Sequence, residues 1–247
     1  MIDPRELLTD AGFRPQGDVT RMPGYDASVW RVSTESGVVA VRVLPADRDI
    51  SHEVEMQQLA AGLGVPAPEV LRSGAYLGHP YTVTSWLPGR PLGELLAHGL
   101  SVRQGGELLG RAMAALHEPL HGGSVLCHLD FQPFNVLVTG DEITGIVDWS
   151  NARLGDARQD IAWTLVVMRL APALMPGLAD AVEPFLAAFR AGYAASRELP
   201  ADDELRPFVL AAAQQQIDDW APRIASGAAP QAVGAAARAA LDAWREP

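Results

Sequence analysis

Asp130 and Asn135 stand five residues apart in the segment Cys127-His-Leu-Asp-Phe-Gln-Pro-Phe-Asn135, just ahead of the apolar run Val-Leu-Val. Thirteen residues beyond the Asn, a second apolar run, Ile146-Val147, ends in Asp148 and Trp149. If the two runs pair as a hairpin, Asn135 leads into one strand and Asp148 leaves the other, so their side chains can converge. A carboxylate and an amide oxygen are hard ligands suited to Mg²⁺, which keeps several waters and takes substrate phosphates as further ligands. Asp130 lies near such a metal without being required to bind it, and can accept the proton of an attacking hydroxyl. The layout is that of phosphoryl transfer: His-x-Asp-x-x-x-x-Asn, followed by a metal-binding Asp at the end of a β-hairpin.

These residues need a scaffold, and the chain changes character around Leu87-Pro88-Gly89-Arg90-Pro91, its clearest punctuation. Strands dominate before it. Ser28 to Thr34, Val38 to Leu44 and Tyr81 to Trp86 are rich in β-branched and aromatic residues, and Glu35-Ser36-Gly37 joins the first two as a hairpin. Asp3 to Ala11 reads as a short helix with Asp3 as N-cap and Pro4 at its first position. Ser51 to Leu63 reads as a second, with Val54, Leu59 and Leu63 near one face, ended by Gly64-Val65-Pro66-Ala67-Pro68. Helices dominate after the punctuation: Leu92 to His98, Val102 to His117, Ala157 to Leu170, Leu178 to Ala195, Asp202 to Ala221 and Pro230 to Trp244. The exception is the strand pair Val136 to Val138 and Ile143 to Val147, turning through Thr139-Gly140-Asp141. In the last helix Val233, Ala237, Leu241 and Trp244 recur at helical spacing and predict a packed face.

The bulk properties narrow the partners. With 247 residues, 48% hydrophobic and 20% charged, the chain can build one large domain or two modest lobes. Its formal net charge of −11 repels nucleic-acid phosphate and argues against DNA or RNA binding, while it can favour a cationic substrate or simply maintain solubility. No apolar stretch is long enough for a membrane span. The N-terminus has early acids and no apolar core of a signal peptide. Cys127 is the single cysteine, which suits a reducing, cytoplasmic setting. All 19 basic residues are arginine, so a site that ordinarily uses lysine must here use arginine or do without.

The motifs together make the chain resemble the aminoglycoside phosphotransferase family, the small-molecule relatives of protein kinases. The family's His-Gly-Asp-x-x-x-x-Asn reads His128-Leu129-Asp130 to Asn135, and its Ile-Asp-Trp/Phe then Gly-Asp-x-x-x-Asp reads Val147-Asp148-Trp149, then Gly155-Asp156-Ala-Arg-Gln-Asp160. Val65-Pro66-Ala67-Pro68 is similar to a Val-Pro-x-Pro segment after the first-lobe helix, and Thr84 to Gly89 is similar to the hinge. The resemblance implies an α+β, two-lobed protein-kinase-like fold: a small antiparallel-sheet N-lobe over 1–86, and a larger helical C-lobe over 87–247 with the catalytic loop, metal hairpin and acceptor site. It implies ATP and Mg²⁺ as cofactors and a hydroxyl-bearing small molecule as partner. Asp130 would be the base, with Asn135 and Asp148 on the metal. Backbone groups near Ser85 and Leu87 would hold adenine in the cleft, with Ala40 above it and Leu137 below. Arg42, aligned by Glu53, would steady the α- and β-phosphates. Backbone N–H groups of the loop from Met22 to Ser28, or the Ser28 hydroxyl, would cover them. His128 would hold the catalytic loop by hydrogen bonds. Asp156 and Asp160 would brace the base, although both also stand where they could cap the helix that begins at Ala157.

Three departures from the family pattern bear on function. Arg42 follows Val39-Ala40-Val41 where a lysine is usual; it keeps the charge and can grip a carboxylate or phosphate through two N–H groups, but it is bulkier and planar. The loop Met22-Pro23-Gly24-Tyr25-Asp26-Ala27-Ser28 holds a single glycine, and Leu129 replaces the glycine of the catalytic loop. These leave open a nucleotide-binding pseudokinase, and acceptors other than aminoglycosides: choline, homoserine, a thio-sugar or a macrolide. His117-Glu118-Pro119-Leu120-His121 matches the His-Glu-x-x-His zinc pattern, but Pro119 disfavours the continuous helix that would put both imidazoles on one face. Trp30, Trp86 and Trp149 read as core or hinge packing. Glu183, Asp218 and Asp219 could attract a cationic acceptor or form a solvated face.

Overall fold

In the computed structural model the structure describes residues 2–22, 27–120 and 122–245. The chain forms two compact units, Met1–Gly89 with Thr144–Ser150, and Arg90–Ile143 with Asn151–Pro247.

The first unit is built on a five-stranded antiparallel sheet of β1 (Pro15–Met22), β2 (Ser28–Thr34), β3 (Gly37–Val43), β4 (Val70–Tyr76) and β5 (His79–Ser85), in the order β1-β2-β3-β5-β4. The three central strands alternate. Trp30 and Val32 of β2, Val39, Val41 and Val43 of β3, and Tyr81 and Val83 of β5 turn to one face. There they pack on Leu7 and Leu8 of α1 (Pro4–Asp10), whose first turn is capped by Asp3 accepting from Arg5 N at 2.8 Å. Because the side-chain period of a strand is two, the intervening Ala40 and Arg42 must point to the opposite face. The two edge strands, β1 and β4, are mostly exposed, so neither carries the alternating pattern that marks a strand in sequence.

Helix α2 (Ser51–Gly62) turns inward a different face from the one expected through Val54, Leu59 and Leu63. Met56, Gln57 and Ala60 are buried, whereas Leu63 is 43% exposed. The reason is polar. Gln57 Nε2 donates to the Pro68 carbonyl at 2.6 Å, and Glu53, one turn earlier on the same face, meets Arg42 of β3. Ser51 begins this helix without capping it by its own side chain; its N–H is held by Asp49 instead.

In the second unit, α3 (Leu92–Ala97) and α4 (Val102–Leu116) are followed by β7 (Val125–Cys127), which leads into the catalytic-loop segment. β6 (Arg90–Pro91), β8 (Val136–Thr139) and β9 (Glu142–Ile146) make a small sheet in the order β6-β8-β9, with Pro91 opposite Leu137, and β9 passes into the first unit. β10 (Arg153–Gly155) pairs with β7. The remaining helices are α5 (Ala157–Leu174), α6 (Val182–Ala194) after a 3-10 turn at Pro176–Ala181, α7 (Asp202–Ala225) and α8 (Gln231–Ala243). In α8, Val233, Ala237 and Leu241 are buried as their spacing predicts. Among the described residues, no helix is long and apolar enough to cross a membrane.

α4 and α6 approach each other through glycine. A Cβ on Gly106 or Gly110 of α4 would overlap the carbonyl oxygens of Phe185 or Phe189, and one on Gly192 of α6 would overlap that of Glu107. The two backbones therefore sit closer than any side chain permits, and the register between the helices is fixed. Gly110→Ala is expected to cost at least about 1–3 kcal/mol by overpacking, lowering the thermal midpoint by about 2–4 °C per kcal/mol for a chain of this size. A midpoint equal to wild type in calorimetry would refute this close approach.

Candidate active site

The catalytic-loop segment follows β7, and its geometry is set by one buried carboxylate. Asp160, in the first turn of α5, is fully buried. Its Oδ2 accepts from the backbone N–H of His128 at 2.7 Å and its Oδ1 from that of Leu129 at 2.9 Å. Leu129 has a positive φ of 57°, a conformation that costs a non-glycine residue energy and must be held from outside. The two bonds from Asp160 hold it. One turn further along α5, the buried Thr164 hydroxyl donates to the Phe131 carbonyl at 2.7 Å, fixing the other side of Asp130.

Within the loop, Asn135 Nδ2 donates to the Asp130 carbonyl oxygen at 2.9 Å and to its carboxylate Oδ2 at 2.8 Å, and Asn135 is almost fully buried. Base candidate and amide are thus one hydrogen-bonded unit. Asn135 enters β8, so the strand fixes its backbone while Asp130 is held from both ends of the loop. The His128 ring lies edge-on to Phe131, with centroids 5.6 Å apart, and the bond from His128 to Asp160 is made by its backbone.

The two aspartates ahead of and within α5 separate in role. Asp156 is the N-cap, accepting from Arg158 N at 2.9 Å. The Arg158 side-chain hydrogen bond, with that backbone bond, holds its carboxyl below the usual range despite partial burial. Asp160 reaches past the helix to the loop. Burial pushes its pKa up, but the hydrogen bond from His117, the His117 and His128 charges and the loop N–H outweigh burial and hold it low.

His117 itself was read from sequence only as part of a zinc-like pattern at a helix end. Here α4 stops at Leu116 and the His117 ring turns inward, with Nε2 3.2 Å from Asp160 Oδ2 and Nδ1 3.0 Å from the Tyr193 hydroxyl. Glu118 turns the other way and pairs with Arg197, and His121 lies outside the described residues. Neither His117 nor Tyr193 carries a spacing signal that would link it to Asp160, because the three come from different helices.

In the first unit, Arg42 brings together Glu53 and Asp148. Its Nη1 pairs with Glu53 Oε1, and its Nη2 lies 3.7 Å from Asp148 Oδ1. The Arg42 and Glu53 side chains are 22% and 11% exposed, and that of Asp148 is 43% exposed. Burial raises the Glu53 pKa; Arg42 lowers it, but the charge of Asp148 raises it again. One guanidinium thus faces two carboxylates. Asp148 has a positive φ of 66° and accepts from Ser150 Oγ at 2.9 Å, while Trp149, fully buried, anchors the segment by donating from Nε1 to the Ile146 carbonyl.

The other expected nucleotide residues lie as follows. Ala40 shares the Arg42 face of β3 and sits opposite Thr84 of β5. Ser28 begins β2 opposite Val43. The Ser85 N–H is taken by the Glu69 carbonyl, so of its two backbone groups only the carbonyl could serve adenine; its hydroxyl accepts from Glu69 N. Leu87 follows Trp86, whose N–H donates to the Val38 carbonyl. Leu137 lies on β8 in the second unit. Of the phosphate-loop segment, Pro23, Gly24, Tyr25 and Asp26 lie outside the described residues. Glu183 is engaged by Arg169 at 3.0 Å and Asp218 by Gln214 at 3.1 Å, while partial burial and the neighbouring Asp218 raise the Asp219 pKa.

Asp160 generates a prediction with a defined sign. Its folded-state pKa is below the unfolded value, so its contribution to stability is present above about pH 4, the ordinary carboxyl range, and is lost as pH falls through the folded pKa. Asp160→Asn offers one acceptor oxygen to three donors and leaves a buried donor unsatisfied, at about 1–3 kcal/mol. Denaturant titrations from pH 7 to pH 3 should show the variant less stable at neutral pH and less sensitive to acid. Parallel curves would sink this account.

The family model for the phosphotransferase enzyme family matches residues 18–119 and 111–208 of the chain. No curated protein matches the chain by sequence. Among solved structures, the aminoglycoside phosphotransferase APH(4)-Ia is 16% identical, with a TM-score of 0.71 over 97% of this chain and 96% of that one. A thermostable mutant of the same enzyme, in ternary complex with ADP and hygromycin B, gives a TM-score of 0.69 at 16% identity over 97% of this chain and 96% of that one. The aminoglycoside phosphotransferase APH(3'')-Id from Streptomyces rimosus gives a TM-score of 0.56 at 17% identity, covering 85% of this chain and 97% of that one. The α+β fold is therefore of the kinase-like class to which these structures belong.

Proposed function

The chain belongs to the phosphotransferase enzyme family, and we propose that it moves the γ-phosphoryl group of ATP to a hydroxyl of a small molecule, with Mg²⁺ as the metal. The bond between the γ-phosphorus and the β,γ-bridging oxygen breaks, a bond from phosphorus to the acceptor oxygen forms, and ADP leaves. The hydroxyl proton goes to Asp130. Such a reaction needs little covalent chemistry from the protein; its rate comes from positioning and charge stabilisation.

The observation that carries this reading is the bonding of Asn135 to both the carboxylate and the carbonyl of Asp130, in a loop whose next N–H groups are tied to Asp160. A carboxylate held in this way has the fixed direction a general base needs. The donor set also suits a hard divalent cation. Asn135 commits its NH2 to Asp130, so its amide oxygen is the end that would meet a metal, and Asp148 offers a carboxylate. Bound Mg²⁺ would neutralise phosphate charge. Arg42, oriented by Glu53, would grip the α- and β-phosphates. Ala40, Ser28, Ser85, Leu87 and Leu137 would complete the nucleotide site.

For the acceptor, we infer an aminoglycoside or another cationic hydroxyl compound. The net charge of −11 and the hygromycin B held by the fold relative support this class. Fold likeness does not choose among acceptors, and choline, homoserine, a thio-sugar or a macrolide enter the same assay. Arg42 in the place of the usual lysine favours a second reading, a nucleotide-binding protein with impaired turnover.

Asp130→Ala should abolish transfer to an acceptor panel and leave ATP affinity within a few fold of wild type. Retained turnover would overturn Asp130 as base. Asp148→Ala should remove the magnesium-dependent part of the thermal shift given by ATP; a shift matching wild type would exclude Asp148 as a ligand. Arg42→Lys separates the two readings. A large gain in turnover marks the arginine as a compromise, and no change in nucleotide affinity places it outside the site.

A further inference from the structure

The brace at Asp160 has a second layer that the reaction itself does not call for. Tyr193 of α6 is 2% exposed, and its hydroxyl lies 3.0 Å from Nδ1 of His117, itself 1% exposed. The other ring nitrogen, Nε2, faces Asp160 Oδ2 at 3.2 Å. Asp160 in turn holds the N–H groups of His128 and Leu129, the two residues before Asp130. We propose that Tyr193 is a positioning residue for phosphoryl transfer, acting through His117 and Asp160 on the loop that carries Asp130; this rests on the reaction proposed above.

The chemistry of the three groups fixes the bond to the carboxylate. An ionised carboxylate only accepts, so Nε2 of His117 carries the proton that faces Asp160. The Tyr193 hydroxyl both donates and accepts, so it meets Nδ1 whether or not that nitrogen carries a proton, and it holds the ring in place against Asp160. Burial pushes the Tyr193 phenol up to about 12, so it keeps its proton throughout the working range. Oδ2 of Asp160 takes His128 N–H and His117 together, and a ring free to turn would loosen that oxygen from the loop.

The packing supports the same direction of control. Tyr193 follows Gly192, and a Cβ on Gly110 of α4 would also press on the Tyr193 backbone nitrogen. His117 lies two turns beyond Gly110, at the end of α4. The glycine contact that fixes α4 against α6 therefore also fixes the hydroxyl against the imidazole. The same cluster brings Cys127 close enough to His117 and Asp160 to suggest a metal site. Asp160 already accepts three N–H groups, and the Cys127 thiol points to the Asp156 carbonyl at 3.4 Å and is kept protonated by burial, so the donor set is committed to the loop.

The test uses the full chain. Tyr193→Phe keeps the ring and removes the hydroxyl. It should lower kcat about tenfold, equivalent to about 1.4 kcal/mol, and leave KM for ATP unchanged. Amide exchange should rise at His128 and Leu129 ahead of the rest of the second unit. His117→Gln keeps an N–H donor for Asp160 and should retain more activity than His117→Leu. In the His117→Leu background Tyr193→Phe should have no further effect, because the relay is already cut. Three results would overturn the proposal: unchanged kcat with unchanged exchange, a uniform rise in exchange across the unit, or an equal loss from Tyr193→Phe in both backgrounds. If wild type transfers phosphate to no acceptor, the reaction is refuted. The amide exchange and the His117 tautomer, read by nitrogen NMR, then decide the relay alone.

Discussion

The geometry of the loop that carries Asp130 depends on a single buried carboxylate. Asp160 is enclosed by protein, and an ionised group there is costly unless every lone pair is matched. The match comes from two consecutive backbone N–H groups of the loop and from His117, and it is strong enough to hold the carboxyl in its charged form against burial. The arrangement works in both directions. The loop supplies the donors that make the charge tolerable, and the charge holds Leu129 in a left-handed conformation that no local preference would maintain. Asp130 inherits its direction from this exchange and from the Asn135 amide beside it.

The first unit solves a different electrostatic problem. Two carboxylates, Glu53 and Asp148, share one cation, Arg42. A guanidinium can address both at once because its N–H groups form a planar fork, which an ammonium cannot do in the same way. Arginine is thus a workable occupant of β3 in a chain without lysine. Burial is the main reason the Glu53 pKa is raised, and the charge of Asp148 adds to it against the pull of Arg42. Helix α2 accordingly presents a mixed face inward, with Met56 and Ala60 buried beside the matched Glu53 and Gln57, and Leu63 at its end exposed.

The central strands, most helices and the acidic and amide residues of the candidate site were legible in the sequence, because each rests on a local signal. Richness in β-branched and aromatic residues marked β2, β3 and β5, and helical spacing marked α8. Residue type and short spacing marked Asp130, Asn135 and Asp148. The edge strands β1 and β4 were not legible, since exposure on both faces removes the alternation. The inward face of α2 was misread because hydrophobicity was the only available guide, and polar pairing decided the matter.

What the sequence determined by itself was therefore the set of candidate side chains and the order in which they occur along the chain. Tertiary structure alone decided which of two equivalent-looking aspartates caps α5 and which reaches the loop, and that His117 and Tyr193 belong with the latter. The physical reason is that a buried hydrogen-bond network is satisfied by groups from several elements at once. Partners separated by 32, 43 and 76 residues, as here, leave no periodicity for a sequence to display.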